Sequence, residues 1–284
     1  MEKLRNRDVD LSGGSDGPVG GVDPALLVSR RGLTARSVVA STLLGASPPH
    51  LPVRTIVRCG ALFGFGDGAV RTAVSRMLAD GSLEVDSDRP VYRVGGRLRQ
   101  RLARQAESRS PEVGPWDGSW IQAVATSPQR SAPQRRDLRL ATRTLRMAPL
   151  RQGIWLRPDN LDHTRHQEAW SVVVAQCDLF RSEPVASAPD LAARLWDLGA
   201  WADGATQLTS GLQRHGSRLD ANDPDTLADG FVLSASVLRH LLADPLLPTA
   251  LVPDDWPADG LRRTYDDYDL RYKAAWREWF SQQG

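Results

Sequence analysis

Apolar positions between residues 33 and 97 recur at helical spacing three times and then turn to short alternating runs. Thr34 stands where it can cap a first helix carrying Val38, Val39 and Leu43. Gly45 follows that helix and Pro48-Pro49 breaks the pattern. Pro52 suits the first turn of a second helix, with Ile56, Val57, Gly60 and Ala61 as its buried stripe and Gly64 as a left-handed cap. The third helix is expected from Asp67 to Ala79, with Val70, Ala73, Val74, Met77 and Leu78 facing inward and Gly81 ending it. Its N-cap position falls on Gly66, which lacks the side-chain acceptor that Ser, Thr, Asp or Asn would supply. Leu83-Glu84-Val85 and Val91-Tyr92-Arg93-Val94 read as two strands around a turn at 86–90. Three helices and a two-stranded wing predict a winged helix-turn-helix.

Residues 98–115 begin helical and end as a Pro/Gly linker. A second unit then reads as strand (Trp120–Ala125), helix (Arg135–Arg146), strand (Gly153–Arg157), strand (Ser171–Gln176) and helix (from Leu191), the order of a ferredoxin-like fold. Beyond residue 200 the signals are helical, at Trp201–Arg214, Leu227–Leu242 and Leu261–Phe280. The expected fold class is α+β. Its parts are a tail at 1–30, a winged helix at 31–110, a central ferredoxin-like domain at 116–200 and a helical C-terminal domain at 201–284.

Composition narrows the classes. No run approaches the roughly 18 apolar residues of a membrane span, and the polar, Gly-rich N-terminus lacks a signal-peptide core. Cys59 and Cys177 lie far apart and outside any CxxC, which argues against a disulfide scaffold and suits a reducing cytoplasm. The net charge of +2 hides a division: residues 31–110 carry 13 basic and 6 acidic side chains, whereas 166–284 carry 10 and 18. A basic N-terminal half on an acidic C-terminal half suggests an anionic polymer partner at one end.

The outward positions of the third helix are Asp67, Gly68, Arg71, Thr72, Ser75 and Arg76. In a helix-turn-helix this helix enters the major groove. Arg71, Thr72 and Ser75 are then expected on base edges, with Arg76 and the wing residues Arg89 and Arg93 on phosphates. A winged helix that binds protein instead would carry the same pattern. His163 and His166 form an HxxH without a nearby third ligand, so no metal is expected. A metal-dependent nuclease reading of the central domain lacks a carboxylate where its first strand ends, at Ala125-Thr126-Ser127. No nucleophile elbow, phosphate loop or dinucleotide fingerprint occurs, so neither catalysis nor a cofactor is expected. Arg143, Arg146, Arg151, Arg157 and Arg165 form a cationic set that suits either coenzyme A phosphates or a structural role. The aromatic stripe Tyr265, Tyr268, Tyr272, Trp276, Trp279-Phe280 reads as core or dimer contact.

Five segments in this order, FGFGDGAVRTAVSRMLADGSLE, WDGSW, PLRQGIWLRPDN, LWDL and DPLLPTALVPDDWP, resemble the PaaX family of bacterial repressors, named for control of phenylacetic acid breakdown. The resemblance runs from about residue 33 to 280. It implies a winged helix, a central domain akin to CRISPR adaptation nucleases and a helical C-terminal domain. It also implies a homodimer on a palindromic operator, released by an aryl- or acyl-coenzyme A thioester. Arg146, Trp155, Arg157 and Arg239 are the expected ligand contacts. Ala235 and Val237 depart from the family pattern of a His and an aromatic residue, with Arg239 retained, which implies an effector other than phenylacetyl-coenzyme A.

Overall fold

The computed structural model describes residues 27–28, 33–86, 91–127, 129–220 and 222–282, with the side chain of residue 97 left aside. Apart from Leu27 and Val28, the expected tail lies outside the described residues.

The N-terminal part follows its pattern closely. Helix α1 (Ala35–Gly45) opens with a reciprocal cap, in which Ser37 N–H donates to Thr34 Oγ1 (3.1 Å) and Thr34 N–H donates to Ser37 Oγ (2.8 Å). Strand β1 (His50–Pro52) leads into α2 (Val53–Ala61), and α3 spans Asp67–Ala79. Gly64, at φ +76°, supplies the left-handed turn between them. Gly60 lets α2 and α3 cross closely: a Cβ there would lie 2.4 Å from Val70 Cγ2. Val70 and Met77 are fully buried in a core shared with Val39, Leu43 and Ile56. Each such side chain contributes about 1.5–3 kcal/mol of burial.

Two expectations change here. Ala61 is exposed, because α2 ends at that residue, and Cys59 occupies the buried position instead. The wing sheet has three strands, not two: β2 (Leu83–Val85) and β3 (Val91–Val94) are joined by β1, in the order β1-β3-β2. A three-residue strand carries no readable period, and Pro52 suits its edge position.

Helix α4 (Gly96–Arg109) leads to the central sheet. There β4 (Trp120–Ala125), α5 (Ala132–Thr144), β5 (Ala148–Arg151), β6 (Ile154–Pro158), α6 (Gln167–Gln176) and β7 (Cys177–Ser182) follow in turn. The sheet order β5-β6-β4-β7 is antiparallel throughout, which is ferredoxin-like. The segment Ser171–Gln176, expected as a strand, is helical. Its Val172-Val173-Val174 run favours β locally, but Trp170 and Val173 pack at helical spacing into the core under the sheet, and tertiary burial wins. The strand lies just beyond, in β7, and β5 is a further strand outside the sequence expectation.

Helix α7 (Ala188–Leu195) covers the other face of the sheet, near Trp120 and Leu156. The C-terminal helices are α8 (Leu198–Arg218), α9 (Pro224–Leu242) and α10 (Ala258–Gln282). Tyr265, Tyr268, Tyr272 and Trp279 are buried among them. Helix α4 is bolted to this bundle. Arg109 donates to Asp266 and Asp269, and Arg262 Nε donates to the Ser108 carbonyl (3.0 Å) while pairing with buried Asp244 (2.5 Å).

Candidate nucleic-acid interface

Helix α3 divides cleanly into two faces. Val70, Ala73, Val74 and Met77 are buried, while Asp67, Gly68, Arg71, Thr72, Ser75 and Arg76 are all exposed. Residues 68, 71, 72 and 75 recur at three- and four-residue steps, so they share one surface stripe. Gly66 is the N-cap, with no side-chain hydrogen bond, as its lack of a side chain requires. Ala69 N–H donates to the Gly66 carbonyl (3.0 Å), and the first two N–H groups of α3, at Asp67 and Gly68, sit at an end that favours anions.

Arg71 and Arg76 have no ion-pair partner among the described residues. Other arginines nearby are engaged. Arg36, on α1, pairs with Asp80 at the C-cap of α3 (2.7 Å) and donates to Ser82 Oγ (2.9 Å). Hydrogen bonds from the Ser82 hydroxyl and from Arg36 hold the Asp80 carboxyl down at about 2. This contact ties the end of the exposed helix to the start of α1.

On the wing, Arg93 lies opposite Glu84 in the β2–β3 register, with Nε 3.2 Å from Glu84 Oε2, and Arg99 pairs with the same carboxylate. Such exposed pairs contribute about 0–1 kcal/mol and yield readily to a competing anion. Arg89 lies outside the described residues. Arg54, outside the expected contacts, is exposed in the first turn of α2 with no ion-pair partner among the described residues. The first helix of a helix-turn-helix crosses the DNA backbone, and an arginine near its start was the available signal.

The four expected ligand contacts do not form one open site. Arg157 is 1% exposed, and its guanidinium is spent inside the protein. Nε donates to the Pro158 carbonyl (2.8 Å), Nη1 to the Leu145 carbonyl (2.6 Å) and Nη2 to Asn160 Oδ1 (2.6 Å). Burial and the neighbouring charge of Arg146 bring its pKa down to about 9. It is a structural strut between β6 and the loop after α5. Trp155 is half-buried against the core under the sheet, with Arg130 above its ring at 5.9 Å. Arg146 is half-buried, and Arg239 is exposed on α9.

His163 and His166 are also divided. The first faces Asp159 (3.1 Å) and the second Glu107 on α4 (2.8 Å). No group of three His, Cys, Asp or Glu is placed to hold a metal among the described residues. No helix among them is long and apolar enough to cross a membrane.

Comparison with known proteins covers nearly all of this architecture. Residues 34–98 match the PaaX-like protein family profile, 113–193 the PaaX protein central Cas2-like domain, and 196–282 the PaaX-like protein C-terminal domain. No curated protein matches. A solved structure, the uncharacterized protein Rv0674 from Mycobacterium tuberculosis, is similar at 36% identity and a TM-score of 0.65. The match covers 86% of this chain and 98% of that one. Members of the matched family are transcriptional regulators rather than enzymes. With all three of its modules present in order, the chain belongs to the PaaX-like family.

Proposed function

We propose that this protein is a DNA-binding transcriptional repressor of a catabolic operon, acting as a homodimer on a palindromic site and released by an aryl- or acyl-coenzyme A thioester. The observation that carries the DNA reading is the exposed stripe of α3, where two arginines with no ion-pair partner among the described residues flank Thr72 and Ser75. Helix α3 enters the major groove, Arg71, Thr72 and Ser75 meet base edges, and Arg76 and Arg93 meet phosphates. The wing carries Arg89 to the backbone. The effector binds the weak-DNA form more tightly than the DNA-competent form, which is the thermodynamic requirement for release. The likeness of the chain to a regulator family supports this reading.

The test is titration of a fluorescent duplex from the protein's own upstream region, beside a scrambled duplex, across a salt series. Tight binding of the first, with an affinity that falls steeply as salt rises, supports the proposal. Equal and weak binding of both would turn the reading toward a winged helix that binds protein.

A further inference from the structure

A cavity of about 720 Å³ lies where the winged helix, α4 and the C-terminal bundle meet. Its volume is that of a small-molecule site. One wall is the end of α1 with the following loop and β1, including Leu44 and Leu51. A second is α4, through Leu102. A third is α9 and α10, through Phe231, Leu238 and Trp276. The walls are thus largely apolar and aromatic.

Their charge is one-sided. Arg101, Arg109, Lys273 and Arg277 line the cavity, against one carboxylate, Asp269. Asp269 is already shared, lying 2.9 Å from both Arg109 and Lys273. Arg101 and Arg277 have no ion-pair partner among the described residues. Arg101 is half-buried, and its guanidinium pKa is lowered by burial and by the charge of Arg104. Arg101, half-buried against apolar walls, is stabilised by an incoming anion, and Arg277, exposed on α10, adds its charge.

We propose that this cavity binds an organic anion with an aromatic or aliphatic body, its apolar part against Phe231, Leu238 and Trp276 and its anionic group between Arg101 and Arg277. None of the four contacts expected from the sequence lines this space. The position suits control. His50, in the wall, lies opposite Arg93 in the β1–β3 ladder, and α1 is tied to the end of α3 through Arg36 and Asp80. A ligand that touches all three walls fixes the winged helix against the bundle. That consequence for DNA rests on the regulatory reading above; the site itself does not.

The test uses the full chain and three probes: 3-phenylpropanoate, its coenzyme A thioester, and coenzyme A alone. Binding is measured by calorimetry, and near-ultraviolet circular dichroism confirms that each variant is folded. The expected result is one equivalent of an aryl probe bound per chain. Leu238→Trp, which pushes a bulkier ring into the apolar wall where the body of the ligand would lie, abolishes binding. Arg101→Ala with Arg277→Ala weakens it by about tenfold or more, the loss expected for charge-assisted contacts. Tighter binding of the thioester identifies phosphates as the anionic group, whereas equal binding of the free acid identifies the carboxylate. Binding of neither aryl probe, equal binding of coenzyme A alone, or binding untouched in folded Leu238→Trp would overturn the site. Aryl-probe binding that leaves duplex affinity unchanged would overturn the coupling to DNA while leaving the site. A protein that binds no specific duplex yet passes the calorimetric arm would sink the regulatory reading alone.

Discussion

The rings of Phe63 and Phe231 lie 4.7 Å apart, centroid to centroid, and are tilted by 55°. Phe63 belongs to the turn between α2 and α3, and Phe231 to α9. The helix-turn-helix is therefore seated on the C-terminal bundle through its own turn. Tilted aromatic pairs contribute about 0.5–1.5 kcal/mol beyond their burial. A double-mutant cycle on Phe63→Ala and Phe231→Ala, read by urea unfolding, is expected to return a coupling in that range. A value near zero would mean the rings touch without stabilising one another.

Arg71 and Arg76 separate base reading from backbone contact. Arg71→Ala is expected to weaken specific duplex binding by about 1–3 kcal/mol and to relax one base position. Arg76→Ala should weaken specific and scrambled duplexes alike. Competition titrations against single-base variants of the bound site distinguish the two. Equal loss on every sequence for Arg71→Ala would place that residue on the backbone.

Arg157 is expected to matter for folding. Its loss strands the Leu145 and Pro158 carbonyls and Asn160 Oδ1 in the interior. Each buried acceptor left without a donor costs about 1–3 kcal/mol. Arg157→Ala should therefore destabilise the protein by roughly 3 kcal/mol or more, measured as a shift of the urea midpoint. A variant of undiminished stability that had lost effector binding would return Arg157 to a ligand role.

The C-terminal bundle should weaken in mild acid. His215 Nε2 lies 3.0 Å from the Thr226 carbonyl, so it carries the proton, and Nδ1 accepts from the Tyr268 hydroxyl at 3.0 Å. Burial lowers the pKa of His215, and likewise that of His240. The unfolded chain then takes up protons first as pH falls below about 6.5, so the folded state loses stability from that point downward. Urea midpoints from pH 7.5 to 5 should fall, and His215→Gln should flatten part of the slope. A midpoint independent of pH over this range would contradict a buried His215 held neutral by the fold.

Much of this was legible because local and tertiary demands agree. The bounds of α3 follow from its apolar stripe and from Gly66 and Gly81 at its ends, and those of β4 from a mostly apolar strand with no exposed position. Where the two demands conflict, the sequence misleads. Val172-Val173-Val174 has strand chemistry in a helix, and β1 and β5 are too short to show a period. Arg157 looked available because charge implies exposure; only the fold reveals three acceptors converging on it. The cavity was invisible for a related reason. Its arginines come from α4 and α10, more than 150 residues apart, and no linear spacing announces that they share a wall.

Glu84 holds Arg93 on one side and Arg99 on the other. Together the three side chains bring one net positive charge to a duplex, not two. What sets salt dependence is the net charge that neutralises phosphate, about 0.9 in log–log slope for each one. On the proposed binding mode, the wing and the start of α4 thus contribute the slope of a single contact while offering two guanidinium groups for hydrogen bonding. The carboxylate trades non-selective grip for geometry, leaving sequence preference to the exposed arginines of α3.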